Sequence, residues 1–138
     1  MNNVRQLRDS QPESEKITLN LGYVDLGRVD LLVQEGFYAN RSDFIRTAIR
    51  KQIDAHGDAV SSTIQRHTLE LGLRDYTRQD LEALRDAGEV VHVKVVGLAR
   101  IASDVSPALA RAVIGSITVL GGLQASPEVK KALADRTR

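Results

Sequence analysis

The stretch KITLNL, residues 16–21, alternates strictly, with Ile17, Leu19 and Leu21 on one face and Lys16, Thr18 and Asn20 on the other. Successive side chains of a strand point to opposite sides of the pleat, so this is the pattern of a half-buried β-strand. It has no neighbour. No second alternating run follows across a tight turn, and the next fifteen residues, GYVDLGRVDLLVQEG, carry a helical period instead. A lone strand leaves its backbone donors and acceptors unpaired along both edges, and folded proteins pair such groups almost without exception. Any fold for this region must bring a second strand from elsewhere.

The helical period comes from Leu26, Val29, Leu32 and Val33, which place one apolar stripe along a first helix. Gly36 falls just past its end, where a left-handed cap costs glycine little. A second helix is expected to start within NRSD, with Ser42 as N-cap and Asp43 at the positive end of the helix dipole. Phe44, Ile45, Ala48, Ile49 and Ile53 continue as an apolar stripe. Gly57 is the expected stop, and residues 57–67 read as a linker or a helix extension. Residues 1–14 read as a flexible polar arm whose cations are Arg5 and Arg8.

Beyond residue 67 the chain repeats. TLELGLRDYTRQDLEALRDAG, VKVVGLARIASDVSPALARAV and ITVLGGLQASPEVKKALAD can be stacked on Gly72, Gly97 and Gly121. Each glycine follows a β-prone run and precedes a helix start, at Thr77, at Ser106-Pro107 and at Ser126-Pro127. A Ser or Thr N-cap followed by proline at the first helical position is a sound local signal. The short helices carry Leu81 and Leu84, Leu109 and Val113, and Val129 and Leu133. Strand–turn–helix units of about 24 residues fall in the range of small solenoids, which bury their apolar faces by stacking. Residues 68–138 are therefore expected to form a solenoid-like domain of three such units, serving oligomerisation or partner binding.

One strand and two helices cannot close a core in a single chain. The simplest completion is a second copy, with two strands antiparallel across a two-fold axis and four helices over their apolar face. Lys16, Thr18 and Asn20 then stand outward on a two-stranded ribbon of a size that enters the DNA major groove. Residues 15–56 resemble the ribbon-helix-helix DNA-binding proteins of the CopG, Arc and MetJ type. The likeness rests on KITLNL, the spacing of Leu26, Val29 and Leu32, the Gly36 break and NRSDFIRTAIRKQI. It implies an obligate homodimer that binds double-stranded DNA, with Lys16, Thr18 and Asn20 as the base-reading trio. It also implies phosphate binding at the start of the second helix, near Arg41, Ser42 and Asp43, which free helix N-terminal N–H groups favour independently. The dimer core is expected to hold Ile17, Leu19, Leu21, Leu26, Val29, Phe44, Ile45, Ala48 and Ile49. The resulting fold class is α+β, a ribbon-helix-helix domain followed by the repeats. The plainer alternative is that the strand joins the C-terminal repeats in one mixed α/β domain, leaving Lys16, Thr18 and Asn20 as a solvated face.

Bulk charge adds little. Residues 1–55 hold eight Lys/Arg against eight Asp/Glu, and the net charge of the 138 residues is +1. The strongly basic footprint common among nucleic-acid binders is missing, so DNA binding must rest on the placement of a few residues. With no cysteine, disulfides and thiolate metal ligation are excluded. His56, His67 and His92 lack tight ligand spacing, so no metal and no cofactor is expected. His56 and His67 read as surface or linker residues, and His92 as a residue on a sheet face. No nucleophile elbow, P-loop or paired-glycine phosphate cradle is present, which argues against an enzyme. Arg46 and Arg50 fall on one side at i, i+4, as a solvated face or as partners for Asp43 or Asp54. The N-terminus lacks the apolar core of a signal peptide and no run approaches a membrane span, so the expected setting is cytoplasmic. The reading is a sequence-specific transcriptional regulator, a repressor, with the repeats able to link dimers into higher homo-oligomers. Its rivals are an antitoxin whose C-terminal half binds a toxin, and a self-assembling scaffold protein.

Overall fold

A computed structural model describes residues 13–138. The polar arm expected over 1–14 lies outside these residues except for its last two positions. The chain divides into two compact units. One is Lys16–Thr63, and the other is Ile64–Arg138 together with the described residues before Lys16.

The first unit holds α1 (Tyr23–Gln34) and α2 (Arg41–Ala55). Helix α1 ends in a Schellman motif: Gly36 N–H donates to the Val33 carbonyl and Phe37 N–H to that of Leu32, each at 3.0 Å. Gly36 sits at φ +86°, the left-handed conformation expected of it. Helix α2 is capped by Asn40, not Ser42. The Asn40 side chain accepts from Asp43 N–H at 2.8 Å, and Ser42 lies inside the first turn. The correction has a simple cause, since the helix begins one residue before Ser42 and Asn is as good a cap as Ser. Gly57 is likewise no stop. His56 breaks the regular pattern, and the chain resumes as α3 (Gly57–Arg66), realising the helix extension rather than the linker.

The second unit alternates strand and helix: β1 (Glu70–Tyr76), α4 (Arg78–Asp86), β2 (Val91–Ile101), α5 (Pro107–Val113), β3 (Ile114–Gln124) and α6 (Pro127–Ala132). The three strands form one parallel sheet in the order β1-β2-β3. Parallel neighbours need a crossover, and here a single helix makes each one. Thr77, Ser106 and Ser126 cap α4, α5 and α6 through their side chains, as the sequence suggests. The three glycines stand in register, Gly72 against Gly97 and Gly97 against Gly121. All have positive φ, and a Cβ on Gly97 would strike the Gly72 carbonyl oxygen, as one on Gly121 would strike that of Gly97. Only glycine permits this close stacking of backbones.

Alternation along β2 sets the core. Val93, Val95, Ala99 and Ile101 are buried with Leu81, Leu109, Val113, Ile117, Val129 and Leu133, on the side covered by the helices. The opposite face carries Leu71, Val96 and Leu120 in one register row and Leu73 and Leu98 in the next. Leu71 and Leu120 remain 72% and 60% exposed. The chain end returns to β3, where Thr137 bridges to Ile117 and Arg138 N–H donates to the Ile117 carbonyl at 2.8 Å. Part of the β3 edge therefore already has a backbone partner.

Candidate nucleic-acid interface

Lys16–Leu21 does not enter the parallel sheet and, among the described residues, forms no strand within the single chain. Its apolar side is left bare: Ile17 is 84% exposed, Leu19 60% and Leu21 38%. Tyr23, Val24, Leu31, Phe37, Ile49 and Ile53 are also exposed, and Val29 is the one buried apolar residue of the first unit. Of the nine residues expected in the dimer core, Leu26, Phe44 and Ile45 are half-buried, while Ala48 and Ile49 are exposed. Monomeric proteins rarely leave so much contiguous apolar surface in water. Lys16, Thr18 and Asn20 are exposed throughout.

The start of α2 is built differently from the sequence expectation. Arg41 donates from Nε and Nη2 to both carboxylate oxygens of Asp30 on α1, at 2.7 and 2.8 Å. This fork holds the Asp30 carboxyl below its ordinary range and pushes the Arg41 guanidinium higher still. The bidentate pair bridges α1 to the start of α2 and is exposed on both sides. The Asp43 carboxylate accepts from Ala39 N–H at 2.9 Å, while its own N–H goes to Asn40. Asp43 is thus a capping residue, and its negative charge would repel a phosphate. What stays available is the pair of N–H groups of Arg41 and Ser42, which have no acceptor among the described residues. Phe44 packs edge-on against Tyr38, with centroids 5.0 Å apart, and steadies this corner. Arg46 and Arg50 form no salt bridge among the described residues and are exposed.

The Ribbon-Helix-Helix transcriptional regulator family model matches residues 12–130. This chain belongs to that family. The match runs through the sheet of the second unit, so the family likeness is wider than the residues 15–56 that the sequence motifs alone delimit. Over 48 residues the chain is 39% identical to the transcriptional regulator CdrS of Halobacterium salinarum, covering 35% of this chain and 87% of that protein. No solved structure matches.

The remaining sequence candidates have local roles. His92 Nδ1 lies 2.8 Å from the Ser116 hydroxyl, on the sheet face away from the helices. Its ring packs over Gly115, where β2 and β3 shift register and a Cβ would meet the imidazole at 2.7 Å. The His56 ring stands 3.3 Å from the Gln52 amide. No group of three or more His, Asp or Glu comes together among the described residues, and no described helix is long and apolar enough to cross a membrane. The basic C-terminus is tied into the fold. Arg136 donates to the carbonyls of Arg111 and Ile114, and Arg111 to Asp135 and the Ala132 carbonyl.

Proposed function

We propose that this regulator is a homodimeric, sequence-specific DNA-binding repressor that reads the major groove through residues 16–21. The observation that carries the reading is the bare alternation of that segment, one face apolar and the other Lys16, Thr18 and Asn20. Two such segments pairing antiparallel satisfy each other's backbone groups along one edge. Ile17, Leu19 and Leu21 then meet Leu26, Val29, Phe44, Ile45, Ala48 and Ile49 of both copies. Lys16, Thr18 and Asn20, doubled by symmetry, supply the base contacts, and phosphates are gripped at the free N–H groups of Arg41 and Ser42. With few phosphate contacts and a net charge of +1, affinity should fall only gently with salt.

A single dimer therefore binds modestly, and tandem sites strengthen occupancy. The three strand–helix units behave as stacked repeats that join dimers, through the outer edge of β1 and the apolar rows around Leu71, Val96 and Leu120. A disordered toxin-binding tail fits poorly with a second unit that carries its own core.

Fluorescence anisotropy on DNA fragments from around the protein's own gene, over a salt series, tests the reading. A folded Lys16/Thr18/Asn20 triple alanine variant should lose the preference for the selected fragment. Equal selectivity in the variant, or none in the wild type, would refute it.

A further inference from the structure

In a parallel sheet every strand ends on the same side, so the segments that close β1, β2 and β3 gather at one end of the sheet. They border a cavity of about 420 Å³, lined by Asp75 and Thr77 at the end of β1, Arg100 and Ser103 at the end of β2, and Gln124 and Ser126 at the end of β3. Asp75, Arg100 and Gln124 stand side by side in register. The two charged neighbours nevertheless form no ion pair with each other. Among the described residues Asp75 has no salt-bridge partner, while Arg100 Nη2 donates to the Glu13 carboxylate at 3.0 Å. Arg100 Nε is buried and has no acceptor among the described residues. A buried guanidinium N–H without an acceptor is costly, and a carboxylate engages such a fork best through two parallel bonds. Glu13 uses one of them.

We propose that this crevice binds a small carboxylate ligand through Arg100, and that Glu13 occupies the position when the ligand is away. A free carboxylate can approach Arg100 along both Nε and Nη2, which the tethered Glu13 side chain does not do. Asp75 bars a second negative group from the β1 side, so the ligand directs a single carboxylate toward the half lined by Arg100, Ser103, Gln124 and Ser126. The Thr77 hydroxyl accepts from Asp80 N–H and Thr77 N–H donates to the Asp80 carboxylate, so both groups are engaged in capping α4. Glu13 belongs to the segment that leads into Lys16, so ligand entry releases the chain just ahead of the proposed ribbon. That consequence rests on the ribbon reading, whereas the binding site does not.

The test needs no DNA. Butyrate, the free equivalent of the Glu13 side chain, is titrated into the full-length protein while the Arg100 Nε–H resonance is followed by NMR. Inorganic phosphate is titrated in parallel. The wild type should saturate with butyrate, and Glu13→Gln should saturate at up to about five-fold lower concentration, the equilibrium equivalent of an exposed ion pair. Arg100→Gln, checked by circular dichroism for intact fold, should show no saturable butyrate binding by calorimetry. Failure of butyrate to bind wild type and Glu13→Gln alike would overturn the proposal, as would equal affinity in the two. Tighter binding of phosphate than of butyrate would overturn the carboxylate assignment.

Discussion

The two units of this chain both carry apolar stripes and use them in opposite ways. In the second unit fourteen residues make one buried cluster, from Tyr76 to Leu133. In the first, Val29 alone is buried while Ile17, Leu19, Tyr23, Phe37 and Ile53 face water. A small domain survives only by removing most of its apolar surface from solvent. The sheet unit does so within one chain, its helices covering one face. The first unit has a strand's worth of unpaired backbone and a hydrophobic face, and the second copy proposed above would cure both deficits at once. An apolar pattern therefore says which side of an element wants to be covered, and leaves open whether the cover lies in the same chain.

The largest effect should come from the glycine stack. Gly97→Ala and Gly121→Ala each press a methyl group into a neighbouring carbonyl, on top of an unfavourable φ. Denaturant titration should show a loss of about 4 kcal/mol or more, at the exceptional end for single substitutions. Gly72→Ala has open space around it and only the φ +124° to bear, so a cost of about 1–2 kcal/mol is expected. Equal losses at the three positions would show that backbone conformation, and not close stacking, sets the requirement.

Leu19→Ala probes the other unit. If Leu19 is buried between two copies, the change should cost about 2–4 kcal/mol, seen as weaker self-association in sedimentation while the sheet's own unfolding is unmoved. An effect shared by both units would break the division between them.

A smaller gain is expected at the start of the sheet unit. Thr68 follows α3 with φ +53°, a left-handed conformation that is a genuine outlier for a β-branched residue. Thr68→Gly should raise stability by about 1 kcal/mol in thermal or denaturant unfolding. A loss instead would mean that the threonine side chain makes a compensating contact.

The smallest effect is that of acid. Asp30 in the first unit and Asp135 in the second both have carboxyls held below the ordinary 3.8, each chiefly by a hydrogen bond from an arginine, Arg41 and Arg111 respectively. A depressed folded-state value contributes stability that is complete above the ordinary carboxylate range and is lost as pH falls through the folded value. Asp30→Asn and Asp135→Asn should therefore flatten a shallow acid-side decline below about pH 4, and leave neutral-pH stability nearly unchanged because both pairs are exposed. A marked loss at pH 7 would mean these pairs matter structurally.

Much of this architecture was legible locally. The Gly36 stop and the Thr77, Ser106 and Ser126 caps are short-range rules written in adjacent residues, and the glycine spacing anticipated which backbone positions meet in the sheet. The α2 cap was readable too, since Asn40 precedes Asp43 by three residues, the spacing of a capping interaction, but Ser42 offered a rival. The contact of Arg100 with Glu13 spans 87 positions, and no periodicity encodes such a pairing. The bridge of Thr137 to Ile117 is made by backbone, so side-chain patterns are silent about it. Nor does spacing show that the Arg41 side chain meets Asp30, eleven residues earlier, across the turn between α1 and α2.

The most direct test of the central claim is to follow unfolding of the intact protein over a hundred-fold range of concentration, with residue-resolved signals from both units and sedimentation alongside. Linkage of folding to association requires that the transition of residues 16–63 move to higher temperature as protein concentration rises. The sheet around Val93, Val95 and Ile117, whose core closes within one chain, should shift far less. A monomer in sedimentation, with residues 16–63 melting at one fixed temperature throughout, would contradict the account.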